Sequence, residues 1–197
     1  MTRFRKIFLV LLSLSVGGCG FTSPSTFYAL DNAPVPAQTG RLTTQSAPLI
    51  GIEPVFVPPY LDKPQIIERD ADSPVVKVDE FNRWAEMLSD TFPRILAKAV
   101  NQKAKRVLAK PVGSLRGDYP YRLYIEIERF DASFGKQAVL EAWMTVMNGS
   151  PTPVTVNKIV LTEPVGGTFD DMVRAQNALI YRLGDMIAGY ALKNLRK

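Results

Sequence analysis

The chain has 197 residues, a single cysteine, no histidine and a formal net charge of +5. One cysteine excludes an internal disulfide, a cysteine-rich zinc site and a Cys–His catalytic pair, and the lack of histidine removes the commonest general base and metal ligand. Apolar content of 46% with 22% charged residues suits a folded domain rather than a disordered chain.

Arg3, Arg5 and Lys6 precede an apolar run over residues 7–16, followed by Gly17, Gly18 and Cys19. A basic start, an apolar stretch of about ten residues and small residues at a cleavage point describe an export signal. The run is too short to span a bilayer, which takes roughly 20 residues. Val16-Gly17-Gly18-Cys19 resembles the bacterial lipobox, in which the cysteine is lipidated and becomes the first mature residue. The resemblance implies several acyl chains on Cys19 and hence a stable anchor. Gly20, where enterobacterial sorting places Asp for inner-membrane retention, implies the periplasmic face of the outer membrane. The signal occupies residues 1–18 and carries three basic and no acidic residues, so the mature chain of 179 residues has charge +2.

Residues 19–25 read as a lipidated tether and 26–197 as one domain. Seven steps separate Cys19 from Thr26, so the domain lies within ~25 Å of its anchor. Residues 26–30 read as a strand from their aromatics, and 31–48, rich in Pro, Thr, Gln and Ala, as a mobile loop. Residues 49–57 read as a strand that Pro54 confines to an edge or a bulge. Segments 64–69 and 75–79 form a hairpin, and 81–108 reads as a helix with Trp84, Leu88, Phe92, Ile95, Leu96 and Ala99 on one face. Pro93 predicts a kink in it, or two shorter helices.

Residues 119–132, 138–147 and 154–163 alternate or run apolar between glycine turns and read as an antiparallel meander. A long amphipathic helix follows over 168–197, with Thr168 and Asp171 as a capping pair and Met172, Ala175, Leu179, Leu183, Met186, Ile187 and Tyr190 as its stripe. The expected fold is a two-layer α+β domain: an antiparallel sheet, meander plus edge strands, with two main helices on one face.

The segment Tyr60-Leu61-Asp62-Lys63-Pro64-Gln65-Ile66-Ile67, preceded by Val55-Phe56-Val57-Pro58, resembles the signature of the ABC-type transport auxiliary lipoproteins, the PqiC-like group. Phe81, Trp84-Ala85-Glu86, Leu88 and the Phe27-Tyr28-Ala29-Leu30 strand match the same pattern, and Pro93 departs from it. The resemblance implies an auxiliary of MCE-domain transport systems, which move lipids or other hydrophobic molecules between the inner and outer membranes. It brings no catalytic residues and no cofactor.

Other constellations have plainer readings. Glu126 and Glu128 share a strand face and could act as an acid–base pair, but they also read as the polar side of a half-buried strand. Asp70 with Asp72, or Asp170 with Asp171, lack the spacing of a calcium loop and suit a turn and a helix start, so no metal site is assigned. Gly166-Gly167-Thr168 reads as a turn and cap rather than an anion cradle.

Two segments remain as binding candidates. The Pro-bounded loop Tyr60, Leu61, Asp62, Lys63, Pro64 and Gln65 is a candidate partner surface, with Trp84 beside it read as core. Lys98, Lys103, Lys105, Arg106, Lys110 and Arg116 form a stretch without acidic residues that could attract an anionic surface. Together these readings describe a non-enzymatic, lipid-anchored component that docks a periplasmic transport assembly at the outer membrane. Its expected partners are the membrane and an MCE-domain protein, a homo-oligomer is compatible with it, and export excludes nucleic acid. The alternative is a lipoprotein that binds an envelope polymer, peptidoglycan or lipopolysaccharide.

Overall fold

The computed structural model describes residues 24–30, 48–70, 73–104, 106–113 and 118–195. The export signal, Cys19, nearly all of the 31–48 loop, Asp72, Lys105 and Arg116 lie outside the described residues. Ten elements follow in order: β1 (Thr26–Tyr28), β2 (Leu49–Ile52), β3 (Gln65–Glu68), β4 (Lys77–Trp84), α1 (Leu88–Lys103), β5 (Leu108–Pro111), β6 (Tyr121–Ala132), β7 (Gln137–Met147), β8 (Thr155–Pro164) and α2 (Phe169–Asn194).

The fold is α+β, but its sheet is mixed rather than antiparallel. Pairs β3–β4, β6–β7 and β7–β8 are antiparallel, whereas β1–β4, β2–β5, β2–β6 and β3–β6 are parallel. Periodicity within a strand does not encode its partner's direction. Here the intervening hairpin and helix return β5 alongside β2 in the same sense. The expected meander is present as β6–β7–β8.

Strand β6 is the spine. One edge pairs with β7 along nearly its whole length. The other is shared by β2 at its start (Ile50 opposite Tyr121), a bridge from Phe56 to Glu126, and β3 at its end (Glu68 opposite Ala132). Strand β2 is therefore interior, between β5 and β6, and Pro54 falls beyond its end instead of marking an edge.

The helix expected over 81–108 is shorter at both ends. Asp79 Oδ1 accepts the amides of Phe81 at 2.9 Å and Asn82 at 2.6 Å, a local turn that competes with helix. Phe81 and Trp84 thus finish β4, and α1 begins at Leu88. Pro93 then sits in the second turn of an unbroken helix, and no division occurs. At the other end Asn101 clamps the chain: its Nδ2 donates to the Ala109 carbonyl at 2.8 Å and its Oδ1 accepts the Ala109 amide at 2.7 Å. That clamp sets β5 immediately after the helix, a strand the periodicity did not reveal.

Both helices cover one face. Phe92 of α1 meets Phe130 of β6 edge-on with ring centroids 5.6 Å apart, and Gln176 of α2 donates to the Phe130 carbonyl at 3.2 Å. Leu123, Ile125, Ile127, Leu140, Ala142, Met144, Ile159 and Leu161 complete the sheet's contribution to the core. Helix α2 opens with the expected capping box between Thr168 and Asp171. Trp84 is 4% exposed and belongs to the core.

Candidate functional site

Among the described residues no helix packs on the opposite face of the sheet, and the 58–65 loop joins the two layers, Tyr60 bonding to the Glu128 carbonyl of β6 and Asp62 to the Ser89 amide of α1. Strand β6 has a bulge between Ile127 and Arg129, so its phase shifts there. Ile127 and Phe130 both face the helices, while Arg129 and Asp131 turn to the outer face. Asp131 is 0% exposed there. Its carboxylate accepts Arg129 Nη2 at 2.7 Å and Nε at 3.2 Å, and Arg69 Nη1 lies at 3.7 Å. A carboxylate that deep is costly to bury without partners of opposite charge.

The ionic chain continues across the strands. Arg129 Nη1 is 3.6 Å from Glu141, Glu141 is 3.9 Å from Lys158, and Lys158 is 2.7 Å from Glu128. Trp143 Nε1 donates to Glu128 at 2.9 Å. The hydrogen bonds Arg129 donates to Asp131 raise the Arg129 pKa, and those Glu128 accepts from Lys158 and then Trp143 lower the Glu128 pKa. Glu128 is thus held ionised, the opposite of what a general acid requires. Its side chain is engaged by Lys158 and Trp143 rather than by Glu126 in the bonds described.

Tyr60 closes the inner end of this network. Its hydroxyl donates to the Glu128 carbonyl at 3.4 Å, and burial, followed by the charge of Asp131, raises its pKa. The remaining loop residues divide by role. Leu61 is 2% exposed and packs in the core, so in the folded chain it offers no partner contact. Asp62 Oδ1 accepts the Ser89 amide at 3.1 Å, and Gln65 Nε2 donates to Glu80 at 3.2 Å. Lys63 and Pro64 are exposed. The loop therefore presents Lys63 and Pro64 on a support fixed at both ends, with the Tyr60 ring alongside.

The basic stretch is spread over several elements. Lys98 is half-buried on α1, and Lys110 is exposed on β5. Lys103 and Arg106 come together at the rim of an open basin of about 620 Å³ whose wall includes Val107, Ala191, Leu192 and Leu195. Lys103 also pairs with Asp185 at 3.8 Å. No group of three acidic, histidine or cysteine residues able to hold a metal occurs among the described residues. At the start of α2 the Thr168 hydroxyl already accepts the Asp171 amide, and the Asp171 carboxylate fills the space beside Gly166. Among the described residues no helix is long and apolar enough to cross a membrane.

The residues that sequence reasoning missed are Arg69, Arg129 and Asp131. A signal was present: the apolar spacing in β6 lengthens from two to three between Ile127 and Phe130, which marks the bulge that turns Asp131 outward.

The domain is a two-layer α+β unit with both helices on one face of its mixed sheet. The family model for the ABC-type transport auxiliary lipoprotein component matches residues 28–188, and the chain belongs to that family. No curated protein matches the sequence. Among solved structures, an uncharacterized protein superimposes with a TM-score of 0.67 at 16% identity, covering 85% of this chain and 98% of its own. A Xanthomonas campestris protein of the DUF330 family gives 0.66 at 17% identity, covering 86% and 95%. At those identities the likeness is one of fold. The family is a transport auxiliary component, consistent with a non-enzymatic role and with membrane association.

Proposed function

We propose that this chain is a non-enzymatic lipoprotein, anchored through Cys19 at the periplasmic face of the outer membrane, that docks an MCE-type periplasmic assembly for intermembrane transport of hydrophobic molecules. The observation that carries the reading is the family match over nearly the whole domain. The geometry supports it. Tyr60, Lys63 and Pro64 are offered to a partner on a loop pinned by Asp62 and Gln65, and pre-ordering of that kind lowers the entropy lost on binding. In this reading Lys103, Arg106 and the other cations of the basic stretch meet anionic headgroups rather than the protein partner.

Affinity purification of the acylated chain from detergent-solubilised envelopes tests the proposal. Recovery of an MCE-domain protein, reduced by Lys63→Glu, is the expected result. Co-sedimentation with peptidoglycan or lipopolysaccharide in place of that partner overturns it and favours an envelope-polymer binder.

A further inference from the structure

Helix α2 extends past the end of α1. Gly184 meets Ala99 of α1, and Asp185 lies 3.8 Å from Lys103 in the last turn of that helix. From Asp185 the chain stays helical to Asn194, about 14 Å further at ~1.5 Å per residue. Its apolar stripe goes with it, through Ile187, Ala191 and Leu195 at four-residue spacing. Beyond Lys103 the other chain segment turns instead. The Val107 amide donates to the Ala104 carbonyl at 3.0 Å, and the Leu108 amide then donates to the Pro48 carbonyl at 3.0 Å as β5 begins. Helix and turn diverge, and the basin of about 620 Å³ opens between them.

The basin joins two kinds of surface. Pro48, Val107, Ala191, Leu192 and Leu195 give it apolar walls, and Leu192 is 48% exposed there. Lys103 and Arg106 give it a cationic rim. Neither 98–113 nor 186–195 contains an acidic residue. Asp185 offsets Lys103 only through an exposed pair, which is worth little in water, and Arg106 has no ion-pair partner among the described residues. Complementing the carbonyl ends of the helices accounts for Lys103 and Lys193, but not for Arg106 or for leucine left in water.

Size and charge together name the occupant. Small-molecule sites enclose roughly 300–1,000 Å³, and this one sets an apolar trough beside two cations. A purely ionic ligand would leave the leucines wet, and a purely apolar one would leave the cations unmatched. We infer that the basin binds one anionic lipid, with an acyl chain along Val107, Ala191, Leu192 and Leu195 and the headgroup against Lys103 and Arg106. The inference deepens the reading in which these cations meet anionic headgroups, and rests on it. The headgroup belongs to a lipid that the domain holds, not only to a surface that it touches. Neither the acylation of Cys19 nor the 60–65 loop is needed for it.

The experiment uses the full chain with phosphatidylcholine vesicles that carry a small fraction of photoreactive phosphatidylglycerol. Its diazirine sits either midway along an acyl chain or on the headgroup, and peptide mass spectrometry locates the label. The acyl probe is expected to mark Val107, Leu192 or Leu195 roughly fivefold or more above the same probe carried by phosphatidylcholine. Lys103→Gln with Arg106→Gln should remove that excess. Leu192→Glu, which puts a negative charge in the trough at an already exposed position, should remove the acyl label itself. Label from the headgroup probe alone overturns the inference and leaves the headgroup reading standing. Equal acyl label from the two lipids overturns it as well, because an apolar wall alone would give that result. No label from either probe overturns both readings, as when a second copy or the chain's own residues fill the basin.

Discussion

The Asp62 carboxylate accepts the backbone amide of Ser89 at 3.1 Å, across 27 residues of chain. Helix α1 has Met87 at its N-cap position, with no side-chain cap of its own. Asp62 supplies from the loop what a local Ser or Asp supplies elsewhere, and its charge complements the positive end of the helix dipole. The same bond ties the candidate docking loop to the helical layer.

Replacing Asp62 with Ala should therefore lower stability by about 1 kcal/mol, the usual worth of a cap, whereas Asp62→Asn keeps an acceptor and loses less. Urea denaturation of the two variants measures this. Equal losses would mean that charge, not the hydrogen bond, does the capping.

Asp131 is fully buried between Arg129 and Arg69. Asp131→Ala removes the buried counter-charge of Arg69 and Arg129, leaving Arg129 only the longer pair to Glu141, and one-sided removal of a buried pair costs about 3–5 kcal/mol. Thermal unfolding should show a large drop. Combining Asp131→Leu with Arg129→Met should recover much of it, since the desolvation penalty disappears with both charges. A double variant as unstable as the single one would contradict the network's role.

The capping box of α2 carries a pH signature. Hydrogen bonds from Thr168 and then Arg174 lower the Asp171 pKa in the folded chain. A depressed carboxylate contributes stability that is present above its unfolded pKa and lost as pH falls through the folded value. The stability gap between wild type and Asp171→Asn should thus be constant at neutral pH and narrow in acid. Thr168→Ala should cost about 1 kcal/mol at neutral pH. Denaturant midpoints measured across an acid series check both.

Where the helices touch, a Cβ on Gly184 would stand 2.4 Å from the Ala99 Cβ. Ala is the better helix former by about 1 kcal/mol, yet here it forces the helices apart. Gly184→Ala should be net destabilising, within the roughly 1–3 kcal/mol typical of overpacking. A rise in melting temperature would show that the helices can slide.

The parts of the fold set by local chemistry were legible in the sequence. The β6–β7–β8 meander follows from alternation and glycine turns, and the start of α2 from Thr168 and Asp171. What was hidden depended on partners distant in the chain. Asp79 captures amides that a helix would have used, Asn101 clamps β5, and β2 lies inside the sheet because β5 returns beside it. The candidate loop was located from its own residues. Its division of labour was not, because the burial of Leu61 and the capping by Asp62 appear only once α1 is placed against it.

The central claim is that the braced loop docks a periplasmic transport partner. Photo-crosslinking in intact envelopes, with the probe at Lys63 and a control probe at Val160, tests it most directly. The account predicts a crosslink from position 63 to an MCE-domain protein and none to that protein from position 160. Crosslinks to that protein from both positions alike, or from position 63 to glycan alone, would contradict it.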